Sequence, residues 1–150
     1  MSDEQLLRVE TTHAMQHYKN HCEFLGYIVE EIDEFSISCR HPRKESFRLF
    51  LLSRGSGILF QIVFGFPKYL HDDLTSLYMY ANDLNTTFSF IKACIRIISD
   101  SPPWLFLTSV YEGEYSRQNF SVFIENIHED MDKYNRHFKT IEMWKEHEES

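Results

Sequence analysis

Positive charge is scarce in this chain: 15 Lys and Arg residues stand against 23 Asp and Glu residues, which gives a formal net charge of −8. Nucleic-acid phosphates and anionic lipids bind basic surfaces, so this balance argues against both as partners. No apolar run approaches the roughly 20 residues needed to cross a bilayer. The first residues lack the basic and apolar regions of a signal peptide. We therefore expect a cytoplasmic protein that binds neither nucleic acid nor membrane.

Catalytic and cofactor motifs are also missing from the sequence. It contains no glycine-rich phosphate loop, no nucleophile elbow and no Cys-x-x-Cys pair. The three cysteines, Cys22, Cys39 and Cys94, are odd in number and share no metal-ligand spacing. This usage favours three reduced thiols in a reducing compartment. The sequence therefore predicts a protein that is not an enzyme and that carries no cofactor.

Apolar and aromatic residues, in contrast, are plentiful. Hydrophobic residues make up 43% of the 150-residue chain, and 13 Phe and 8 Tyr are among them. A chain of this length and composition can bury a sizeable core, which argues against disorder. We expect one domain over residues 1–150, with a polar tail at 145–150 that frays.

The spacing of the apolar residues predicts helices and strands in the order α-β-β-β-β-α-β-β-α. Gly26 suits the end of the first helix, and the segment Arg54-Gly55-Ser56-Gly57 indicates a hairpin because glycine supplies positive φ. The middle helix is expected to end at Asn85 and pass directly into a strand. This order predicts an α+β domain with an antiparallel sheet. The predicted helices are 3–25, 74–85 and 117–144, and the predicted strands are 27–32, 35–40, 47–53, 58–64, 88–98 and 104–112.

Two neighbouring strands, 47–53 and 58–64, are apolar on both of their faces. An antiparallel sheet with one face in water alternates more cleanly, so we expect a partner to cover the face that does not pack on the core. Large exposed apolar patches are unusual on soluble monomers, and this predicts a homodimer or a bound protein segment. The residues predicted to bind that partner are Phe50, Leu52, Leu59, Val63 and Phe90.

The sharpest chemical pattern lies on the first helix. His13, His17 and His21 are one helical turn apart, and imidazoles at positions i and i+4 can share a metal ion. The spacing supplies no fourth ligand, and the cations Arg8 and Lys19 on the same helix would disfavour a bound metal. The interpretation we favour is a flank of solvated histidines without a metal. A pH-sensitive edge is a further alternative.

The end of the middle helix carries a family resemblance. The stretch Leu77-Tyr-Met-Tyr-Ala-Asn82-Asp-Leu-Asn85 precedes an aromatic strand, a proline turn, another strand and an amphipathic helix. In this it resembles the bacterial YbjN-like family, whose members are described as candidate sensory transduction regulators and carry Asn-x-x-Asn at this point. These proteins are similar in fold to the class I chaperones of type III secretion. The resemblance covers about residues 25–138 and implies that fold and an interaction role, but no catalytic residues.

The two asparagines also have a structural interpretation. Asn85 lies where the helix is expected to stop, and asparagine tolerates the left-handed conformation. Asn82, one turn earlier, can tie the backbone of the following strand to the helix end through its amide. We favour this structural role, and a role in binding a ligand is the alternative.

Three functions remain open from the sequence. The first is a non-enzymatic interaction module, chaperone-like or regulatory, that binds a protein segment or a second copy of itself through the apolar sheet face. The second is a dedicated chaperone for one client of type III secretion. The third is a metal-binding protein that uses His13, His17 and His21.

Overall fold

The computed structural model describes the backbone of residues 3–52 and 56–149, and the side chains of residues 14–52 and 56–145. One turn of 3-10 helix at Lys68–Leu70 precedes the second α-helix. The helices are α1 (Asp3–Phe24), α2 (Leu74–Thr87), α3 (Arg117–Arg136) and α4 (Phe138–Glu149), and the strands are β1 (Ile28–Asp33), β2 (Ser36–Arg40), β3 (Phe47–Leu51), β4 (Gly57–Gly65), β5 (Lys92–Arg96) and β6 (Trp104–Glu112).

The strands form one six-stranded sheet in the order β1-β2-β3-β4-β6-β5. Strand β2 pairs antiparallel with both β1 and β3, β3 pairs antiparallel with β4, and β5 pairs antiparallel with β6. The α+β class and the antiparallel sheet predicted from the sequence are confirmed. The predicted order of elements is confirmed up to the last helix, which is divided in two.

The chain divides into two compact units, and β4, β6 and α3 each contribute residues to both. The first unit comprises Met1–Ile62 and Val110–Phe123, and the second comprises Val63–Ser109 and Ile124–Ser150. The expectation of one domain over residues 1–150 stays a prediction, as does the frayed tail at 145–150.

In the first unit, alternate residues of β2, β3 and β4 point into a core with an aromatic centre. Tyr18 of α1 meets Phe120 of α3 edge to face, with ring centroids 5.1 Å apart. Phe123, one turn further along α3, lies 6.3 Å from Phe60 of β4. Such edge-to-face pairs add to the gain from burial. The strand residues buried in this core are Ile37, Cys39, Phe47, Leu49, Ile58 and Phe60.

In the second unit, α2 packs on β5. Its buried residues Leu77, Tyr80, Ala81 and Leu84 recur at helical spacing, which explains why this stretch forms an amphipathic helix. Leu105 and Leu107 of β6 are buried with them, and so are Ile127 and Met131 of α3.

The junction after α2 differs from the prediction. The helix continues two residues past Asn85, and its last hydrogen bond runs from the Phe88 N–H to the Leu84 carbonyl over 2.8 Å. Phe88 is extended (φ −72°, ψ 145°), so the chain leaves the helix without a left-handed residue. Among the described non-glycine residues only Ser99 has a left-handed φ, 54°. The expected left-handed Asn85 is therefore wrong.

The strand after α2 is also shorter than predicted, because β5 covers Lys92–Arg96 and not 88–98. The N–H groups of Ser89, Phe90 and Ile91 all donate to the Asp130 carboxylate, so they do not join a strand ladder. At the other end, Ile98 lies in a turn that is closed by a hydrogen bond from the Ser101 N–H to the Ile98 carbonyl.

The predicted final helix, 117–144, is broken at His137 into α3 and α4. The His137 N–H donates to the Tyr134 carbonyl over 3.3 Å, a tightened last turn. Its Nδ1 accepts the Lys139 N–H over 3.2 Å, so the imidazole caps the new helix. Because the His137 side chain caps the start of α4, the helix is broken here although the sequence has neither proline nor glycine at this point.

Part of the predicted hairpin lies outside the described residues, namely 53–55. The described end of that turn is Gly57, whose φ is +106°. A Cβ atom there would lie 2.4 Å from the Tyr111 carbonyl oxygen. Glycine is therefore required at this position for both its conformation and its size.

Candidate interaction surface

The predicted partner-binding residues lie partly together on the face of β3 and β4 that points away from the core. Phe50 and Leu59 are directly opposite each other in the ladder, and both are half-buried. Their chain neighbours Leu49 and Phe60 are buried on the opposite face. Arg48 and Gln61 are also opposite each other in the ladder, two residues away from Phe50 and Leu59 and on the same face. We call the side chains of Phe50, Leu59, Arg48 and Gln61 the outer face.

Leu52 follows directly after β3, where its N–H donates to the Gly57 carbonyl over 3.0 Å. Leu52 therefore lies next to the outer face, and its role in binding a partner stays a prediction. Val63 is two residues beyond Gln61 on β4, belongs to the second unit and is 42% exposed.

Phe90 does not lie on a strand face, contrary to the sequence interpretation. It occupies the bend before β5 and is 46% exposed. Its N–H donates to Asp130 over 2.6 Å, and its carbonyl accepts the Ser109 hydroxyl over 3.0 Å. The backbone of Phe90 is therefore held on both sides while its ring stays accessible.

Asp130 is a residue whose role the sequence analysis missed, because it lies in the polar segment His128-Glu129-Asp130 and matches no motif. The carboxylate is 0% exposed and accepts N–H groups from Ser89, Phe90 and Ile91 at 2.6–3.0 Å. Lys133 lies 3.4 Å from it. The sequence contained one indication of this role. Asp130 lies beside Met131 on the apolar stripe of α3, and a carboxylate at such a position requires buried partners.

Asn85 binds the following strand, whereas the sequence interpretation gave this task to Asn82. The Asn85 amide nitrogen donates to the Ala93 carbonyl over 2.9 Å, and its oxygen accepts the Ala93 N–H over 2.7 Å. Asn82 is exposed, and its backbone carbonyl accepts the Thr86 hydroxyl.

The histidines of α1 are not a solvated flank throughout. His21 is only 7% exposed, its Nδ1 lies 2.8 Å from the Tyr115 hydroxyl, and its Nε2 lies 3.2 Å from the Ser121 hydroxyl. Burial lowers the pKa of His21, and the nearby Arg117 charge lowers it further. His17 stacks on Tyr115 with ring centroids 5.1 Å apart. The side chain of His13 lies outside the described ones.

These contacts bear on the metal alternative. Both ring nitrogens of His21 already have hydroxyl partners, so a metal ion would have to displace one of them. In the part of the chain that the structure describes, no group of three or more His, Cys, Asp or Glu residues is placed to hold a metal ion.

The cysteines are free, and two of them are in the core of the first unit. Cys22 and Cys39 are completely buried. Hydrogen bonding to Cys39 and burial both raise the pKa of the Cys22 thiol far above its usual range. A thiol kept protonated in this way is a poor nucleophile, so Cys22 is suited to packing.

Each unit has a cleft. The cleft of the first unit, about 320 Å³, lies between α1 and the β1–β2 hairpin and includes Met15, Lys19 and Glu31. The cleft of the second unit, about 300 Å³, is lined by Met79, Tyr80 and Met143. Burial raises the pKa of Tyr80 to about 12, and its hydroxyl is engaged with Thr140 at 2.5 Å, which makes it unsuited to acid–base chemistry.

None of the described helices is long and apolar enough to cross a membrane.

No protein-family model matches this sequence, and no curated protein matches it. The structure, in contrast, is similar to the crystal structure of YbjN from E. coli, which is described as a candidate transcription regulator. The TM-score is 0.63 at 15% sequence identity, and the match covers 82% of this chain and 92% of YbjN. At this identity the likeness establishes the fold alone, and the similarity to type III secretion chaperones stays a prediction. The chain has the YbjN fold.

Proposed function

We propose that this protein is a non-enzymatic regulatory interaction module that binds a protein segment or a second copy of itself through the outer face of β3 and β4. The observation that carries the proposal is the half-exposed pair Phe50 and Leu59, directly opposite each other on the side away from the core. Aromatic and aliphatic side chains that are paired in this way form compact apolar contacts when a partner covers them.

The fold and the chemistry of the described residues support a binding role. A protein with the same fold is described as a candidate transcription regulator. The hydroxyl of Tyr80 and the thiols of Cys22 and Cys39 are engaged within the core, so they are not offered to a substrate. A cytoplasmic location fits the three free thiols, because a reducing compartment keeps cysteines in that state.

A double substitution on the outer face tests the proposal. Phe50→Ser with Leu59→Ser removes the apolar pair. Arg48→Ser with Gln61→Ser is the matched control, which removes two polar side chains of the same face but leaves the apolar pair, and polar contacts around such a pair contribute little to binding energy. We expect light scattering to give the wild type and the control twice the chain mass of 18.0 kDa, and the apolar double variant the mass of one chain. Affinity capture from the native organism, read by mass spectrometry, then shows whether a second protein occupies the same face.

The results distinguish a second copy of the chain from a partner segment, and they distinguish both from the absence of binding at the outer face. If the wild type has the mass of one chain but captures a protein that the apolar variant loses, the occupant is a partner segment. A captured protein that is secreted and encoded next to this one favours the dedicated type III secretion chaperone. A wild type with the mass of one chain, and no protein lost by the apolar variant, would overturn the proposal.

A further inference from the structure

Strand β5 ends the sheet, so one of its sides pairs with β6 and the other borders no further strand of the described part of the chain. An edge of this kind presents backbone N–H and C=O groups that another strand can pair with. In an antiparallel strand, both groups of one residue point to the same side, and successive residues point to opposite sides. The side on which one residue is bound therefore tells which residues of β5 are open to a new strand.

The hydrogen bonds of Asn85 to Ala93 identify the outer side of β5, which is the side away from β6. The Asn85 amide donates to the Ala93 carbonyl and accepts from the Ala93 N–H, at 2.9 and 2.7 Å. This is the same pair of bonds that a residue of a neighbouring strand would make. Both groups of Ala93 thus point away from β6, and by alternation those of Ile95 do as well. The groups of Cys94 point toward β6, where Phe106 is its partner.

We infer that the outer edge of β5 is a self-pairing surface and that Asn85 holds it closed. The partner this surface fits is a second copy of the chain, because a strand edge can pair with itself in antiparallel fashion about a two-fold axis. The inference goes beyond the proposed function, since it concerns the edge of β5 and not the outer face of β3 and β4.

The register centred on Ile95 is the favourable one. It pairs Ile95 with Ile95 of the second copy and Ala93 with Ile97 of the second copy. Arg96 then lies opposite Cys94 of the second copy, so no like charges are opposed. This register needs both backbone groups of Ala93, and Asn85 already occupies them.

The neighbouring registers are obstructed in other ways. A register centred on Arg96 places the two Arg96 side chains directly opposite each other, and opposed like charges destabilise a strand pair. A register centred on Ile97 requires Ser99 to be extended. The φ of Ser99 is 54°, which is left-handed, so the chain turns away there and cannot continue the strand. Asn85 therefore blocks the register that charge and backbone geometry leave open.

Removal of the amide tests this inference. Asn85→Ala frees the Ala93 groups, and we expect sedimentation velocity to show a species larger than the wild type at the same concentration. Asn82→Ala, one turn earlier on the exposed side of α2, is the matched control and should keep the wild-type size. Adding Cys94→Lys to Asn85→Ala places a lysine opposite Arg96 of the second copy, and we expect it to restore the wild-type size.

The comparison with the wild type separates this test from that of the proposed function, because it measures a change in size whatever the wild-type oligomer is. Circular dichroism melts establish that each variant is folded at the temperature of the measurement. A folded Asn85→Ala with the wild-type size would overturn the inference. Equal association of Asn82→Ala, or no reversal by Cys94→Lys, would also overturn it, because loss of stability and not edge pairing would then be the cause.

Discussion

Two side chains bind the backbone just before β5 and in its first residues. Asp130 accepts the three N–H groups of Ser89, Phe90 and Ile91, and Asn85 binds both groups of Ala93. A buried carboxylate loses its hydration, and here three charge-assisted hydrogen bonds offset that cost. Asp130 therefore decides where β5 begins, and Asn85 binds the strand from its other side.

Replacing Asp130 should destabilise the protein strongly. Asp130→Asn removes the charge and puts an amide that cannot accept all three bonds in the same buried place, so N–H groups are left unsatisfied. We expect a loss of about 3 kcal/mol in the free energy of unfolding, measured by urea denaturation. Asp132→Asn, an exposed position on the same helix, is the control and should stay within about 0.5 kcal/mol of the wild type. Equal effects at the two positions would contradict the role given to Asp130.

His21 should make the stability of the protein sensitive to mild acid. Its pKa is lowered in the folded state by burial and by Arg117, whereas the unfolded side chain titrates near 6.5. Below pH 6.5 the unfolded state therefore binds a proton that the folded state does not, and stability falls as the pH drops toward the lowered folded pKa. Above pH 6.5 both states are neutral at this residue, so no such change is expected there.

The variant His21→Gln keeps a donor and an acceptor but does not titrate. We expect urea melts between pH 8 and 5 to show a steeper loss of stability for the wild type than for the variant, with the difference confined to the region below pH 6.5. Parallel curves for the two proteins would contradict a buried, neutral His21.

At the scale of elements, the end of the chain is two helices because a side chain caps the second one. The His137 Nδ1 accepts the Lys139 N–H, and the His137 carbonyl accepts the Ile141 N–H over 3.1 Å. The buried face changes at the break, since Phe138 and Ile141, which continue the apolar period of α3 in the sequence, are exposed, whereas Thr140 and Met143 are buried. Periodicity alone does not reveal such a break, because Phe138 and Ile141 keep the helical spacing in the sequence although they are exposed in the structure.

The cap should contribute measurably to stability. We expect His137→Ala to lower the free energy of unfolding by about 1 kcal/mol in guanidinium denaturation, the usual effect of losing a helix cap. His137→Asn retains a capping oxygen and should recover part of this loss. If asparagine is no better than alanine, the stacking of the imidazole on Phe138 and not its cap is what stabilises this point.

At the scale of the whole molecule, we expect one cooperative unfolding transition in spite of the two compact units. Strands β4 and β6 and helix α3 contribute residues to both, so neither unit can lose them without affecting the other. Both tryptophans, Trp104 and Trp144, belong to the second unit. Tryptophan fluorescence therefore follows one unit, whereas far-UV circular dichroism follows both. Coincident urea transitions are expected, and two separated transitions would show two domains.

The sequence by itself determined the class and order of the elements. Alternating residues such as Ile37 and Cys39 mark a strand with one buried face, and the spacing of Leu77, Ala81 and Leu84 marks a helix with one buried stripe. These patterns depend only on neighbours along the chain. The apolar pair Phe50 and Leu59 was found in the same way, because it lies on the second face of strands whose first face is equally apolar.

Only the tertiary structure decided where the middle helix ends, where β5 begins and which asparagine binds it. The N–H groups of Ser89, Phe90 and Ile91 find their acceptor 39–41 residues away, at Asp130. The ring of His21 finds its two hydroxyl partners 94 and 100 residues away. Local propensity depends on neighbours along the chain and does not include these distant groups. A buried polar atom, in contrast, needs a hydrogen-bond partner, which can come from any part of the chain. The side chains that satisfy this requirement, those of Asp130, Tyr115 and Ser121, belong to segments far along the chain from the groups that they bind.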